Sequence, residues 1–170
     1  MTQYDDGKDS ILVTYKKNEL LKRARTLQIS TGMRNCEHIE WGIAPFIRKD
    51  GMFFIYVSEL GGHVRSMLDN NPVLFSIVED EKNSQNIWAR VRLKFTAEIN
   101  EIARGCKEFQ IICDDIAEHH GPVMKIIRDF SDFHLFAISP KEGVIVTGFG
   151  SAFKVTGNDF NIEKRITSNA

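Results

Sequence analysis

The stretch IWARVRLKFTAEI, residues 87–99, alternates polar and apolar side chains along its length. A period of two is typical of a strand that has one face on a core and the other in water. The stretch therefore predicts a long strand in a mostly antiparallel sheet. Its apolar face carries Ala89, Val91, Leu93, Phe95 and Ala97, and its polar face carries Trp88, Arg90, Arg92, Lys94 and Thr96.

Further short strands are predicted on both sides of this stretch. They cover residues 27–31, 39–48, 52–58, 73–79, 133–139, 143–149 and 152–155. Pro45 cannot donate a backbone N–H, so it predicts a sheet edge or a bulge. Asp50-Gly51 predicts a hairpin turn, because this pair tolerates positive φ.

Helical spacing predicts three helices around these strands. They cover residues 10–25, 102–120 and 122–130. Because the helices do not alternate regularly with the strands, the pattern favours a mainly β (α+β) barrel of antiparallel strands with helices packed on it. We expect a flexible tail over residues 1–9, one barrel domain over 10–160, and a C-terminal tail over 161–170.

The bulk properties argue against several classes of partner. The 170 residues carry a formal charge of -1, which gives no support for a nucleic-acid partner or an anionic membrane surface. No secretory signal and no apolar run long enough for a membrane span is present. The cysteines Cys36, Cys106 and Cys113 form no C-x-x-C pair, and we expect three free thiols in a reducing cytoplasm.

A glycine pair, a histidine and an arginine meet where the third strand ends. Gly61-Gly62 allows close approach to a ligand, His63 can bind a ligand or a metal in its neutral form, and Arg65 can pair with a phosphate or carboxylate. The residues alone leave an alternative open. In it the glycines make a plain turn, Arg65 pairs with Asp69, and His63 is a solvated cap.

The polar face of the long strand supports a second hypothesis. Arg90, Arg92 and Lys94 lie beside Trp88, and together they could clamp an anionic planar ligand. The alternative is a solvated outer face, since strand faces turned to water are routinely charged.

Several segments together resemble a known family. Residues 58–81, SELGGHVRSMLDNNPVLFSIVEDE, resemble the S-x(4)-H/K-x-R-N-L-x-x-N-P-x-V segment of pyridoxamine-phosphate-oxidase-like, flavin-binding split β-barrels, and residues 88–99 resemble their next barrel strand. Residues 132–160, DFHLFAISPKEGVIVTGFGSAFKVTGNDF, are similar to the heme-utilisation proteins of this superfamily, the HutZ/HugZ type. The hairpin predicted within residues 26–47 is also similar to the corresponding part of this family.

This resemblance implies a homodimeric split β-barrel of about six to seven strands, with a small-molecule cofactor held at the subunit interface. In the heme-type relatives the ligand is heme, which is degraded to release iron, and in other relatives it is FMN. The resemblance assigns His63 to the heme site and makes it the candidate metal ligand. It gives Arg92 as a site arginine, Asp132 as the acidic residue that holds a ligating histidine across the interface, and Arg65 as the phosphate-binding residue.

The C-terminal segment departs from the family pattern. Heme-type relatives carry the ligating histidine in a Gly-His-Arg context, and here Lys164-Arg165 stand in its place. Because residues 132–160 are most similar to the heme type, heme is the expected cofactor and FMN the alternative. The expected function is heme binding in iron utilisation, with or without oxidative degradation. An FMN-dependent oxidoreductase and a non-enzymatic heme carrier are the alternatives.

Overall fold

The computed structural model describes residues 6–32, 39–70 and 73–167, with side chains from residue 10 onward. Four helices are present in these ranges: α1 (Asp6–Arg23), α2 (Gly62–Leu68), α3 (Lys107–His120) and α4 (Val123–Ile127). The eight strands of the same ranges are β1 (Thr26–Gly32), β2 (Ile39–Lys49), β3 (Met52–Ser58), β4 (Val73–Val78), β5 (Arg92–Ile102), β6 (Phe133–Gly148), β7 (Ser151–Thr156) and β8 (Asn161–Arg165).

The strands form one antiparallel sheet in the order β3-β2-β1-β4-β5-β6-β7-β8, and a further pairing of β3 with β6 closes the first six into a barrel. Strands β7 and β8 extend the sheet beyond this closure. The prediction of an antiparallel barrel with flanking helices is confirmed.

The barrel wall opens between β2 and β3. These strands pair from Phe46↔Ile55 to Lys49↔Met52, so residues 39–45 of β2 and the end of β3 have no ladder between them. Pro45 lies at the start of this opening, where its missing N–H needs no partner, which confirms the predicted edge. Helix α2 fills the opening and buries Val64 and Met67 in the barrel core.

The barrel has apolar contacts on both faces of β3. Inside, Phe53 and Phe75 each stack on Phe95, with ring centroids 5.3 and 5.5 Å apart. Outside, Phe54 and Tyr56 pack in a second core beneath α3 and α4. Burying a large apolar side chain contributes about 1.5–3 kcal/mol, and this two-sided burial explains the continuous apolar run of β3.

Several element boundaries differ from the sequence-based predictions. Helix α1 begins at Asp6, inside the expected N-terminal tail, and Asn161–Arg165 form β8 instead of a C-terminal tail. The strands predicted at 133–139 and 143–149 are one strand, β6. Its pairing with β5 shifts register at a bulge on β6, where Lys141 and Glu142 lie opposite the single residue Thr96 of β5.

The start of the long strand at residue 87 was predicted wrongly. Residues Ile87–Ala89 form a 3₁₀ turn in which the Asn86 side chain accepts a hydrogen bond from the Trp88 N–H at 3.0 Å. Strand β5 therefore begins at Arg92, and Trp88 and Arg90 do not share its outer face.

The described residues contain no helix that is long and apolar enough to span a membrane. Cys106 and Cys113 are free thiols, as expected, whereas Cys36 lies outside the described residues.

Candidate functional site

A groove of about 440 Å³ lies on the outer face of the sheet and crosses strands β4 to β8. Its lining combines apolar side chains with three lysines. The residues that define it are Leu74, Lys94, Val144, Lys154, Lys164 and Ile166. We refer to it as the lysine groove.

Strand register places the three lysines in one row. Lys94 pairs with Val144, Val144 pairs with Lys154, and Lys154 pairs with Lys164. Neighbouring strands are about 4.8 Å apart, so the row spans about 14 Å across four strands. Because directly paired residues point to the same face of a sheet, all three ammonium groups border the groove.

The charges in this row are unequally compensated. Lys154 forms ion pairs with Glu142 at 3.1 Å and Glu163 at 3.7 Å, and its hydrogen bond to Glu142 raises the pKa of Lys154. Within the part of the chain that the structure describes, Lys94 and Lys164 have no carboxylate partner. The groove therefore presents two uncompensated positive charges beside an apolar floor.

A second groove, of about 330 Å³, lies between β2 and α3. Its lining is mostly charged, and Lys49 and Asp115 within it already form an ion pair at 2.7 Å. A planar apolar ligand finds less to bind there than in the lysine groove.

The structure places His63 inside the barrel opening, away from the lysine groove. The side chain is 9% exposed, and its ring lies against the inner face of β2. A Cβ built on Gly42 would come within 2.3 Å of its Cε1, and one built on Gly61 within 2.4 Å. Burial lowers the pKa of His63, and the nearby Glu40 charge opposes this. In this position the ring is covered by backbone, so coordination of a heme iron would require α2 to move away from β2.

Arg65 and Arg90 occupy different environments. Arg65 is exposed on α2, and among the described residues its guanidinium forms no ion pair, so the alternative pairing with Asp69 is not observed. Arg90 donates hydrogen bonds to the Glu79 carbonyl oxygen, from Nε at 2.9 Å, and to Glu81 Oε1 at 3.2 Å. These bonds stabilise the β4–β5 connection. This structural role explains the presence of Arg90 without any role in ligand binding.

Arg92 and Lys164 lie on the outer face of the sheet, as the sequence predicted for Arg92. Arg92 begins β5 and is exposed two residues before Lys94. Lys164 lines the lysine groove. Arg165 has a different environment, because its guanidinium donates to the Gly150 carbonyl at 2.6 Å and lies over the Phe153 ring.

Asp132 belongs to a polar cluster at the other end of β6. Ser58 Oγ donates to Asp132 Oδ2 at 2.5 Å, and the Glu59 N–H donates to the Asp132 carbonyl at 2.9 Å. Beside them His134 Nε2 lies 2.5 Å from Glu59 Oε1, and His134 Nδ1 lies 2.6 Å from Glu101 Oε1. Burial lowers the pKa of His134, but the two carboxylates together more than reverse this, and the net pKa is raised.

Sequence reasoning missed the arrangement of both clusters. Lys94 was noted on a strand face but not as part of a row, and Lys154 and the Glu59–His134–Glu101 arrangement were not found. Alternation gave the outward direction of Lys94. The row itself requires the register of four strands, which local sequence does not give.

The comparisons with known proteins agree with this fold. No family model matches the sequence. The chain is 29% identical over 145 residues to the heme oxygenase HutZ of Vibrio cholerae, and the match covers 83% of this chain and 80% of that protein.

Solved structures share the barrel. The crystal structure of HutZ from Vibrio cholerae, described there as a heme storage protein, matches with a TM-score of 0.69 at 24% identity, over 84% of this chain and 94% of that one. ChuZ of Campylobacter jejuni matches with a TM-score of 0.78 at 24% identity, over 99% of this chain and 67% of that one. A Clostridium acetobutylicum protein of the pyridoxinephosphate oxidase family matches with a TM-score of 0.63 at 13% identity, over 85% and 94%. These structural likenesses establish the split-barrel fold.

Proposed function

We propose that this chain, a homologue of HutZ with a pyridoxamine-phosphate-oxidase-like split barrel, binds heme and serves heme iron utilisation. The observation that carries the proposal is the lysine groove. Heme is a flat apolar ring with two carboxylates on one edge. The groove offers an apolar surface at Leu74, Val144 and Ile166 together with cationic side chains, which is the complementary chemistry.

The residues of the groove bind and orient the ligand. Apolar side chains exclude water from the porphyrin face, and ammonium groups form charge-assisted hydrogen bonds with the carboxylates. The bound heme supplies the iron and its redox chemistry. None of the described residues that line the groove is a histidine, cysteine, methionine or tyrosine, so the groove itself provides none of the common protein ligands of heme iron. We therefore expect the iron in this groove to accept an added ligand such as imidazole.

The proposal includes a homodimer. The outward side chains Ile39, Trp41 and Ile43 of β2 are 72%, 59% and 52% exposed. Through the pairings of β1, Trp41 lies in line with Leu74 at the margin of the lysine groove. A monomer rarely exposes such a continuous apolar stripe. We assign it to a second copy of this chain, which presents the same stripe across a two-fold axis and borders the groove.

The free thiols of Cys106 and Cys113 fit a reducing compartment. We therefore assign the protein to the cytoplasm.

A titration of the purified full-length protein tests the proposed function. Hemin should produce a Soret band that saturates at one heme per chain, and added imidazole should shift that band. FMN, titrated in parallel, should leave its flavin spectrum unchanged. Saturable binding of FMN without any response to hemin would contradict the proposal.

The two descriptions of the HutZ relatives, oxygenase and storage protein, predict different behaviour of a loaded sample. Ascorbate in aerated buffer should bleach the Soret band and release chelatable iron if the protein degrades heme. A Soret band that survives this treatment would assign the chain to storage or transport.

A further inference from the structure

We infer that Lys94 and Lys164 receive the two carboxylates of the ligand in the lysine groove, an inference that rests on the heme binding proposed above. The two lysines flank the same apolar floor from β5 and β8. Both ammonium groups are exposed, and no carboxylate of the described residues pairs with either of them.

Part of the positive charge in this row is not neutralised within the described residues. Lys154 and Lys164 are directly opposite one another on β7 and β8, and like charges in that position destabilise a strand pair. Glu142 and Glu163 compensate Lys154 but leave Lys164 and Lys94 uncompensated. An anion that contacts both outer lysines would neutralise the remaining positive charge of the row, so the site favours a ligand with two acidic groups.

The position of the apolar side chains orients the ligand. Val144 lies between Lys94 and Lys154, and Ile166 follows β8 beside the row. A ligand held by its acidic edge at the lysines therefore lays its ring against these side chains. This geometry fits a flat dicarboxylate. A single phosphate can satisfy one of the outer lysines and leaves the other without a partner.

Hemin and hemin dimethyl ester, whose carboxylates are blocked, separate the contribution of the carboxylate–lysine contacts from that of the apolar ring contacts. We would titrate both ligands into the wild-type protein and into Lys94→Met, Lys164→Met and the double variant, because methionine keeps the length and apolar stem of lysine. Lys125→Met on α4 is the matched control, since Lys125 is an exposed lysine remote from the groove.

For each single variant the hemin dissociation constant should rise about fivefold, and for the double variant about 25-fold, as expected for solvent-accessible ion pairs. The affinity for the dimethyl ester should change less than about twofold, since that ligand has no charge for the lysines to contact. The control variant should bind both ligands as the wild type does. Circular dichroism confirms that each variant is folded.

The outcomes distinguish this inference from the proposed function. If the wild type binds neither hemin nor its ester, the proposed function is wrong. If the wild type binds hemin but the folded double variant binds it equally well, or loses hemin and the ester to the same extent, Lys94 and Lys164 do not receive the carboxylates.

Discussion

Replacing Gly42 with alanine tests whether the backbone of β2 holds the His63 ring in the barrel opening. The new Cβ would lie 2.3 Å from Cε1, 2.5 Å from Nδ1 and 2.6 Å from Nε2 of His63. Carbon atoms in ordinary contact are about 3.5–4.0 Å apart. The ring cannot withdraw freely, because it also lies against Gly61. We expect Gly42→Ala to lower the free energy of unfolding by about 1–3 kcal/mol, the range for overpacked cores.

Removing the ring should relieve most of this cost. His63→Ala leaves a cavity, but it also removes Nε2, a buried nitrogen without a hydrogen-bond partner among the described residues. Burying such a group costs about 1–3 kcal/mol, which offsets much of the cavity term. In the double variant the alanine at position 42 occupies space that the ring has left. We therefore expect a coupling energy of about 2 kcal/mol between the two substitutions.

Urea unfolding of the wild type, the two single variants and the double variant measures this coupling. Gly32→Ala is the control, because nothing described lies within 4 Å of a Cβ at Gly32, and it should not couple to His63→Ala. If the effects of Gly42→Ala and His63→Ala add within about 0.5 kcal/mol, the ring does not rest on β2 and the placement of His63 is wrong.

The same site predicts a pH dependence. Burial holds the pKa of His63 below its usual range, so below about pH 6.5 the unfolded chain binds a proton that the folded chain rejects. Stability that is fully present above this pH is therefore lost as the pH falls. His63→Ala should reduce the stability that is lost on acidification. If the free energy of unfolding falls with pH as steeply in this variant as in the wild type, the imidazole is not buried in its neutral form.

Three further predictions concern other parts of the molecule. Because the pKa of His134 is raised in the folded protein, its positive charge stabilises the fold fully below about pH 6.5, and this stability is lost as the pH rises through the folded-state pKa. His134→Gln should therefore lower the free energy of unfolding by about 1 kcal/mol at pH 6 and by less at pH 9. Equal losses at both pH values would argue against a charged histidine. Arg104 donates hydrogen bonds to the carbonyls of Phe130 and Phe133 at 2.7 and 2.9 Å. Arg104→Ala should therefore lower the free energy of unfolding by about 3 kcal/mol and speed amide hydrogen exchange after α4, and Arg104→Lys should restore stability and slow exchange only in part. Trp41→Lys places a charge in the apolar stripe of β2 and should convert the proposed dimer to a monomer in sedimentation velocity, whereas a dimer that persists would place the interface elsewhere.

Local patterns predicted much of the barrel correctly. The Asp-Gly pair at the β2–β3 hairpin has positive φ at both Asp50 and Gly51, 51° and 78°, because that turn chemistry is encoded in two adjacent residues. Pro45 marked the edge for a similar reason, since a missing N–H is a property of one residue. Alternation also gave the inward and outward faces of β5 from Arg92 onward.

The site was harder to predict because its residues meet through long-range packing. The burial of His63 depends on Gly42, which reaches it only because α2 enters the opening between β2 and β3. The 3₁₀ turn at Ile87–Ala89 overrode a clean alternation, since side-chain hydrogen bonds of Asn86 and Arg90 stabilise the turn. Strand β8 consists mostly of polar and charged residues, so its sequence resembled a tail.

Paramagnetic broadening in methyl NMR spectra tests most directly where the ligand binds. Spectra of the protein loaded with ferric heme would be compared with spectra loaded with the diamagnetic gallium porphyrin, so that binding shifts and iron proximity are separated. The account predicts selective broadening of the methyl groups of Leu74, Val144 and Ile166 on the outer face of the sheet. Broadening centred instead on Val64 and Met67, beside His63 in the barrel opening, would contradict it.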